Sequence, residues 1–481
     1  MTTSDGDELA WLSATTIAQR VRSGDLRVVE IAEQCLERVR RLNPTLNALV
    51  HHDPDQVRAD AARLDAAIAR GDDPGPLAGV PYSLKESTAA AGLPHTGGMK
   101  AAEGHLAETD AVVTQRLAGA GGLFLGKTNL PENGYKGVTD NHLYGATRNP
   151  WNTDWSPGGS TGGGAAGVAA GLTAIADGSD GAGSIRIPAA MCGVVGFKPS
   201  TGRIPQQLLP TGFATFLSHG VLARTVVDAA LMASVEAGPD AVDPLSLPAG
   251  DVDWRAAVDL GDGDPDLTGW RIAWSPDLGF DHPTDSEVLA LCEDAVRRFA
   301  DLGATVVDAT PTWSGVEEAM WSAVWLPAYA GDADYYDWDA LEGQVDPELR
   351  EIAFAGARQT GAEIAAGEIG RTAVYRAFRG FMEEHDVLVS PTIRVARIPV
   401  GLYGPPHLDG LPLRQRMLGW LNTYPFNMTG TPAISIPVGV TATGFPVGLQ
   451  LAGGHLADAR VLRAAAALER ALPRVAHPSV D

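Results

Sequence analysis

Apolar positions recur at helical spacing near the start of the chain, then give way to short apolar runs bounded by glycine and proline. Ile17, Val21, Val28, Ile31, Leu36 and Val39 share this spacing across residues 13–43, and Ser13 is placed to cap the first of two helices. Residues 77–84 follow Pro74-Gly75-Pro76 as a mostly apolar run, the pattern of a buried strand. Lys85 stands at the end of that run, where a sheet can project it into a cleft. Residues 110–120 carry helical periodicity, 122–126 read as a second short strand, and 163–172 are small and apolar, a helix able to pack very closely. A stretch rich in Asp, Pro and Gly occupies 237–269, after which strand 271–274, helix 286–302 and strand 305–307 follow. Strands alternating with helices predict an α/β protein with helices on both faces of a sheet.

The stretch 237–269 reads as a linker or as a surface loop within one domain, and the loop is the reading adopted. Between 313 and 338 the chain gathers Trp313, Trp321, Trp325, Tyr329, Tyr335, Tyr336 and Trp338. Such a concentration suits a pocket wall, with helix packing or a dimer contact as the alternatives.

Composition narrows the function classes. The net charge of −23 argues against nucleic acid, whose binding is driven by Lys and Arg. Cys35, Cys192 and Cys292 lie far apart and fit neither a disulfide framework nor a metal spacing, so they read as buried thiols in a reducing compartment. Residues 1–8 are polar and acidic without a signal pattern, and no apolar run is long enough to span a membrane. A cytoplasmic protein is the expectation. His95, His105 and His142 are too scattered for a metal site, so none is expected.

Two serines sit among glycines, in Pro157-Gly158-Gly159-Ser160-Thr161-Gly162-Gly163 and in Gly178-Ser179-Asp180-Gly181-Ala182-Gly183-Ser184-Ile185-Arg186. A hydroxyl amid exposed backbone N–H groups combines a nucleophile with an oxyanion site, the requirement of acyl transfer. Asp180 and Arg186 flank the second serine and are expected to fix its loop. Gly162-x-Gly164-x-x-Gly167 matches a dinucleotide fingerprint in spacing only, because no apolar strand precedes it. Gly121 to Thr128 satisfies P-loop spacing, but its apolar interior reads as a strand, whereas a P-loop follows one.

These phrases, with Gly79-Val80-Pro81 before Lys85, Gly126-Lys127-Thr128-Asn129, Gly196-Phe197-Lys198-Pro199 and Asn427-Met428-Thr429-Gly430, resemble the amidase signature family. The resemblance is dense over about 75–230 and looser at both ends. It implies a three-layer α/β/α sandwich around a large mixed, mostly parallel sheet, formed by residues 1–481 as one domain. A helical, aromatic-rich insertion over about 310–385 then caps the pocket. It further implies Ser184 as nucleophile, Ser160 as the bridging serine after a cis peptide, and Lys85 as general base. A lysine serves as a base only when neutral, so Lys85 must be buried enough to lower its pKa. Gly181, Ala182, Gly183 and Ser184 are the oxyanion donors proposed on this reading, with Thr161 in support. Gly134, Tyr135, Trp321, Trp325, Trp420 and Tyr424 are the pocket candidates. No cofactor or metal is implied. The expected reaction is hydrolysis of an aryl or alkyl amide or anilide, a small molecule, by water. Alternatives are carbamate hydrolysis at the same site, or service as the amidase component of a glutamine-dependent transamidating complex. A homodimer is left open.

Overall fold

Eleven strands form one mixed sheet in this computed structural model, which describes residues 8–248, 250 and 252–480. The N-terminal reading of residues 1–7 and positions 249 and 251 of the Asp-rich stretch lie outside the described residues. In chain order the strands are β1 (Leu49–His51), β2 (Pro81–Lys85), β3 (Leu123–Thr128), β4 (Ile175–Asp180), β5 (Val195–Lys198) and β6 (Ser218–Ala223). There follow β7 (Arg271–Trp274), β8 (Thr305–Asp308), β9 (Val387–Pro391), β10 (Ala433–Val440) and β11 (Pro446–Ala452). Their spatial order is β1-β3-β2-β4-β6-β5-β10-β11-β9-β7-β8. Parallel ladders join β3, β2 and β4 on one flank and β8, β7 and β9 on the other. Antiparallel ladders link β4 through β6, β5, β10 and β11 to β9, and also join β1 to β3. The antiparallel centre is what a strand–helix alternation alone does not announce, because β5, β6, β10 and β11 connect without an intervening crossover helix between each pair.

Side-chain alternation makes the layers. Ile175, Val221, Ile272, Val389, Ile434 and Leu449 point into one core, against the helices Ala14–Ser23, Val28–Leu46, Val226–Glu236, Ser286–Asp301 and Asp458–Ala471. Their neighbours Ala176 and Leu222 face the opposite side, where Gly162–Ala169 and Arg186–Cys192 pack. Ala273, Leu388, Ala433 and Ala452 meet Phe378 and Phe426 on that same side.

The expected early elements form close to their predicted places: Ser13 accepts from Thr16 N–H at 3.0 Å, and the strand ending in Lys85 begins at Pro81. The glycines of Gly162–Ala169 are needed for packing. A Cβ on Gly163 would lie 2.4 Å from the Asn129 nitrogen, and one on Gly162 would lie 2.2 Å from Thr139 Oγ1. The stretch 237–269 contains the short helix Trp254–Val258, whose Trp254 packs edge-on against Phe197 of the core. Region 310–385 is helical, including a π-helical turn at Met320–Trp325 and the long helix Gly361–Phe381. Among the described residues no helix is long and apolar enough to cross a membrane.

Candidate active site

Parallel pairing of β2 with β4 ends both strands on one edge, which brings Lys85 to Ser179 and Asp180. The tight packing of Gly162–Ala169 sets the preceding loop, and Ser160, over the same edge. Lys85 Nζ donates to Ser160 Oγ at 2.6 Å and to Ser179 Oγ at 2.9 Å. The Gly159–Ser160 peptide is cis. Ser184 follows β4 by one turn, just ahead of helix Arg186–Cys192, and its carbonyl accepts from Thr161 N–H at 3.0 Å. Its hydroxyl makes no hydrogen bond within the described residues, and the residue keeps a sliver of exposure. Hydroxyl contacts in an unliganded site commonly close only around substrate.

Burial lowers the Lys85 pKa to about 7, against the opposing pull of Asp177 and Asp180. The amine is therefore partly neutral near neutral pH, as a base requires. Thr88 Oγ1 donates to Asp177 Oδ2 at 2.6 Å, and His219 Nδ1 lies 2.9 Å from Asp177 Oδ1, so that carboxylate is engaged by its own partners rather than by the lysine. Burial works to raise the Asp180 pKa, but the guanidinium of Arg186 overrides it and holds the carboxyl well below the usual range.

The loop bearing Ser184 is built around that pair. Arg186 donates to Asp180 Oδ1 and Oδ2, each at 2.9 Å, to Asn427 Oδ1 at 2.7 Å, to Gln450 Oε1 at 2.6 Å and to the Thr423 carbonyl at 2.9 Å. Asp180 Oδ1 also accepts from Gly183 N–H at 2.7 Å. This corrects one expected oxyanion donor: the Gly183 amide is already engaged. The amides of Gly181, Ala182 and Ser184 make no hydrogen bond within the described residues and remain open. Thr161 supports the loop through its backbone contact and an Oγ1 bond of 3.4 Å to the Ser179 carbonyl.

Of the pocket candidates, Gly134 lies at the triad: a Cβ there would sit 3.2 Å from Ser160 Oγ and 4.0 Å from Lys85 Nζ. Trp321 is half-buried and Trp325 is buried, both packing in the cluster that includes Ala182 of the nucleophile loop. Tyr135, Trp420 and Tyr424 depart from the expectation of a pocket wall. Tyr135 is fully buried with its hydroxyl donating to Asp346 at 2.8 Å, Trp420 packs its indole over Gly137, and Tyr424 stacks on Phe280 at 5.7 Å. Their rings are core, because the insertion supplies enough aromatic surface to enclose them.

Several contributors escaped the sequence reading. Thr423 Oγ1 donates to the Ala182 carbonyl at 2.5 Å and blocks any side chain on Gly183. The Phe216 ring lies 3.4 Å from where a Gly181 Cβ would stand, over the start of the oxyanion loop. Neither carries a local signal, since each reaches the loop from a distant segment. Glu132, His142 and Asp346 bring three donor atoms within 4.8 Å of one another. Lys136 Nζ already sits 2.5 Å from Asp346, and His142 Nδ1 lies at hydrogen-bond distance from Glu132, which makes this an ion-pair network. The P-loop-like stretch is strand β3, and Lys127 Nζ donates to the Thr88 carbonyl inside the protein.

Comparison with known proteins places this architecture. A family model described as Amidase matches residues 30–462. An acylamidase from Rhodococcus erythropolis is 49% identical over 97% of this chain and 96% of its own length. The amidase-like component of a glutamyl-tRNA(Gln) amidotransferase from Synechococcus sp. (strain CC9605) is 34% identical over 94% of this chain and 95% of its own. The crystal structure of a bacterial aryl acylamidase of the amidase signature enzymes superposes with a TM-score of 0.89 at 33% identity, covering 96% of this chain and 97% of that one. That of 6-aminohexanoate cyclic dimer hydrolase gives 0.85 at 31% identity, covering 98% and 99%.

Proposed function

The chain belongs to the amidase family, and we propose that it hydrolyses the C–N bond of small aryl or alkyl amides and anilides through an acyl-enzyme on Ser184. The 2.6 Å contact between Ser160 Oγ and a buried Lys85 whose pKa falls to about 7 carries this reading. Ser184 Oγ attacks the carbonyl carbon. Its proton passes to Ser160 Oγ while the Ser160 proton passes to neutral Lys85 Nζ. The developing oxyanion is received by the open amides of Ala182 and Ser184, with Gly181 alongside. Collapse breaks the C–N bond, and the relay returns its proton to the leaving amine. Water then attacks the acyl ester by the same relay and releases the acid.

The acylamidase relative and the aryl acylamidase structure support acyl-amide substrates, and the aromatic segment beside Ala182 supports an apolar substituent. The match to an amidotransferase component supports a second reading, ammonia release from glutamine for a partner complex. Buried, unpaired Cys35, Cys192 and Cys292 support a reducing, cytoplasmic setting, and one sheet drawing on both halves of the chain supports a single domain. The experiment is product release from an anilide, a primary aliphatic amide, an aryl carbamate and glutamine, with Ser184→Ala as the control. Anilide or amide turnover lost in Ser184→Ala is the expected result. Turnover of glutamine alone contradicts the proposed substrate class, and a carbamate preference transfers the same chemistry to a different acyl group.

A further inference from the structure

Asp346 occupies the N-cap position of helix Pro347–Ala357, yet its side chain makes no cap hydrogen bond. An Asp there ordinarily accepts from the first free N–H groups of its own helix. This carboxylate turns away instead, accepting from Tyr135 Oη at 2.8 Å and from Lys136 Nζ at 2.5 Å. The Asp346 N–H in turn donates to Glu132 Oε2 at 2.8 Å. Asn133, within the same turn, donates to Asp332 and to Tyr336 Oη, both on the helical insertion, at 3.3 and 3.2 Å. The turn Glu132 to Lys136 is thus held by the insertion at every residue except Gly134. Gly134, at φ +70°, is the residue whose backbone abuts Ser160 Oγ and Lys85 Nζ.

We propose that Asp346 is a positioning residue for the reaction, fixing this turn so that the Gly134 backbone holds the Lys85–Ser160 contact in register. The inference rests on the relay proposed above. The insertion then has a task beyond covering substrate: its N-cap carboxylate sets the wall of the proton-transfer site. Two donors of the turn converge on one oxygen of a largely buried carboxylate, which makes the arrangement sensitive to a single charge. Glu132, His142 and, through Lys136, Asp140 complete the charged groups around Asp346, while Asp177 and Asp180 are those that act on Lys85. Releasing the turn displaces Gly134 and admits water to Lys85. Displacements of about 1 Å at such a site cost on the order of 100-fold in rate.

The test compares Asp346→Asn, Asp346→Glu and Tyr135→Phe with wild type for kcat, KM and the pH dependence of kcat. Asp339→Asn, which removes an exposed partner of Arg350 on the same insertion, serves as control and keeps wild-type activity. Asp346→Asn is expected to lower kcat by roughly 10- to 100-fold with little change in KM. Its pH profile moves to higher pH, because a hydrated Lys85 regains basicity. Asp346→Glu recovers part of the rate. Tyr135→Phe, which alters no charge, moves in the same direction by less and keeps the proposal testable if Asp346→Asn fails to fold. Wild-type kcat and an unmoved profile in Asp346→Asn or Tyr135→Phe overturn the positioning role. Full activity in Lys85→Ala or Ser160→Ala overturns the relay itself, so the two failures are told apart.

Discussion

Arg186 grips Asp180 through two bonds of 2.9 Å, and both side chains are fully buried. The pair lies beneath the loop that bears Ser184, so the geometry of the oxyanion amides depends on an ion pair that never touches substrate.

Breaking that pair from one side leaves an uncompensated buried charge. Arg186→Ala is expected to destabilise the fold by about 3–5 kcal/mol. Arg186→Lys is expected to recover little, because an ammonium cannot reach carboxylate, amide and carbonyl partners in one fork. Chemical denaturation of the two variants checks this, and near wild-type stability in Arg186→Lys contradicts it.

Gly183 combines a φ of +127° with a Cβ site only 2.2 Å from Thr423 Oγ1. Gly183→Ala must shift the loop and with it the neighbouring free amides. A loss of about 100-fold or more in kcat is expected, the scale of removing an oxyanion donor. Steady-state kinetics on an anilide, beside a circular dichroism spectrum showing an intact fold, separates this from unfolding.

The base must be neutral, and the Lys85 pKa lies at about 7. The rate kcat/KM therefore rises with pH through about 7 and levels off above it, on the basic side of which the relay is fully competent. Stability follows the same group. The unfolded chain binds its proton up to about 10.5 while the folded chain releases it near 7, so this contribution to stability rises with pH between those values. Lys85→Met removes that slope and all turnover, which urea unfolding on both sides of the midpoint can read.

Much of this was legible in the chain because it is local. Lys85 closes an apolar run, and strand pairing delivers it to the edge the run implied. The serine loops advertise themselves by glycine, and Asp180 and Arg186 lie close enough in sequence to be read as a pair. What the sequence hid is long-range. Thr423, Asn427 and Gln450 reach the nucleophile loop from the C-terminal quarter, with no spacing that relates them to it. The Gly183 amide looked free because a sequence cannot say which N–H faces a carboxylate. Aromatic residues misled for a related reason: composition reports that Tyr135, Trp420 and Tyr424 are large, not that their neighbours bury them completely.

The central claim is that Ser184 becomes the acylated residue because Lys85 deprotonates it through Ser160. Labelling with an aryl fluorophosphonate, read by peptide mass spectrometry across pH, tests it most directly. A single adduct on Ser184 is expected, its rate of formation rising through about pH 7 and collapsing in Lys85→Ala. An adduct on another residue, or labelling of Ser184 at an undiminished rate in Lys85→Ala, contradicts the claim.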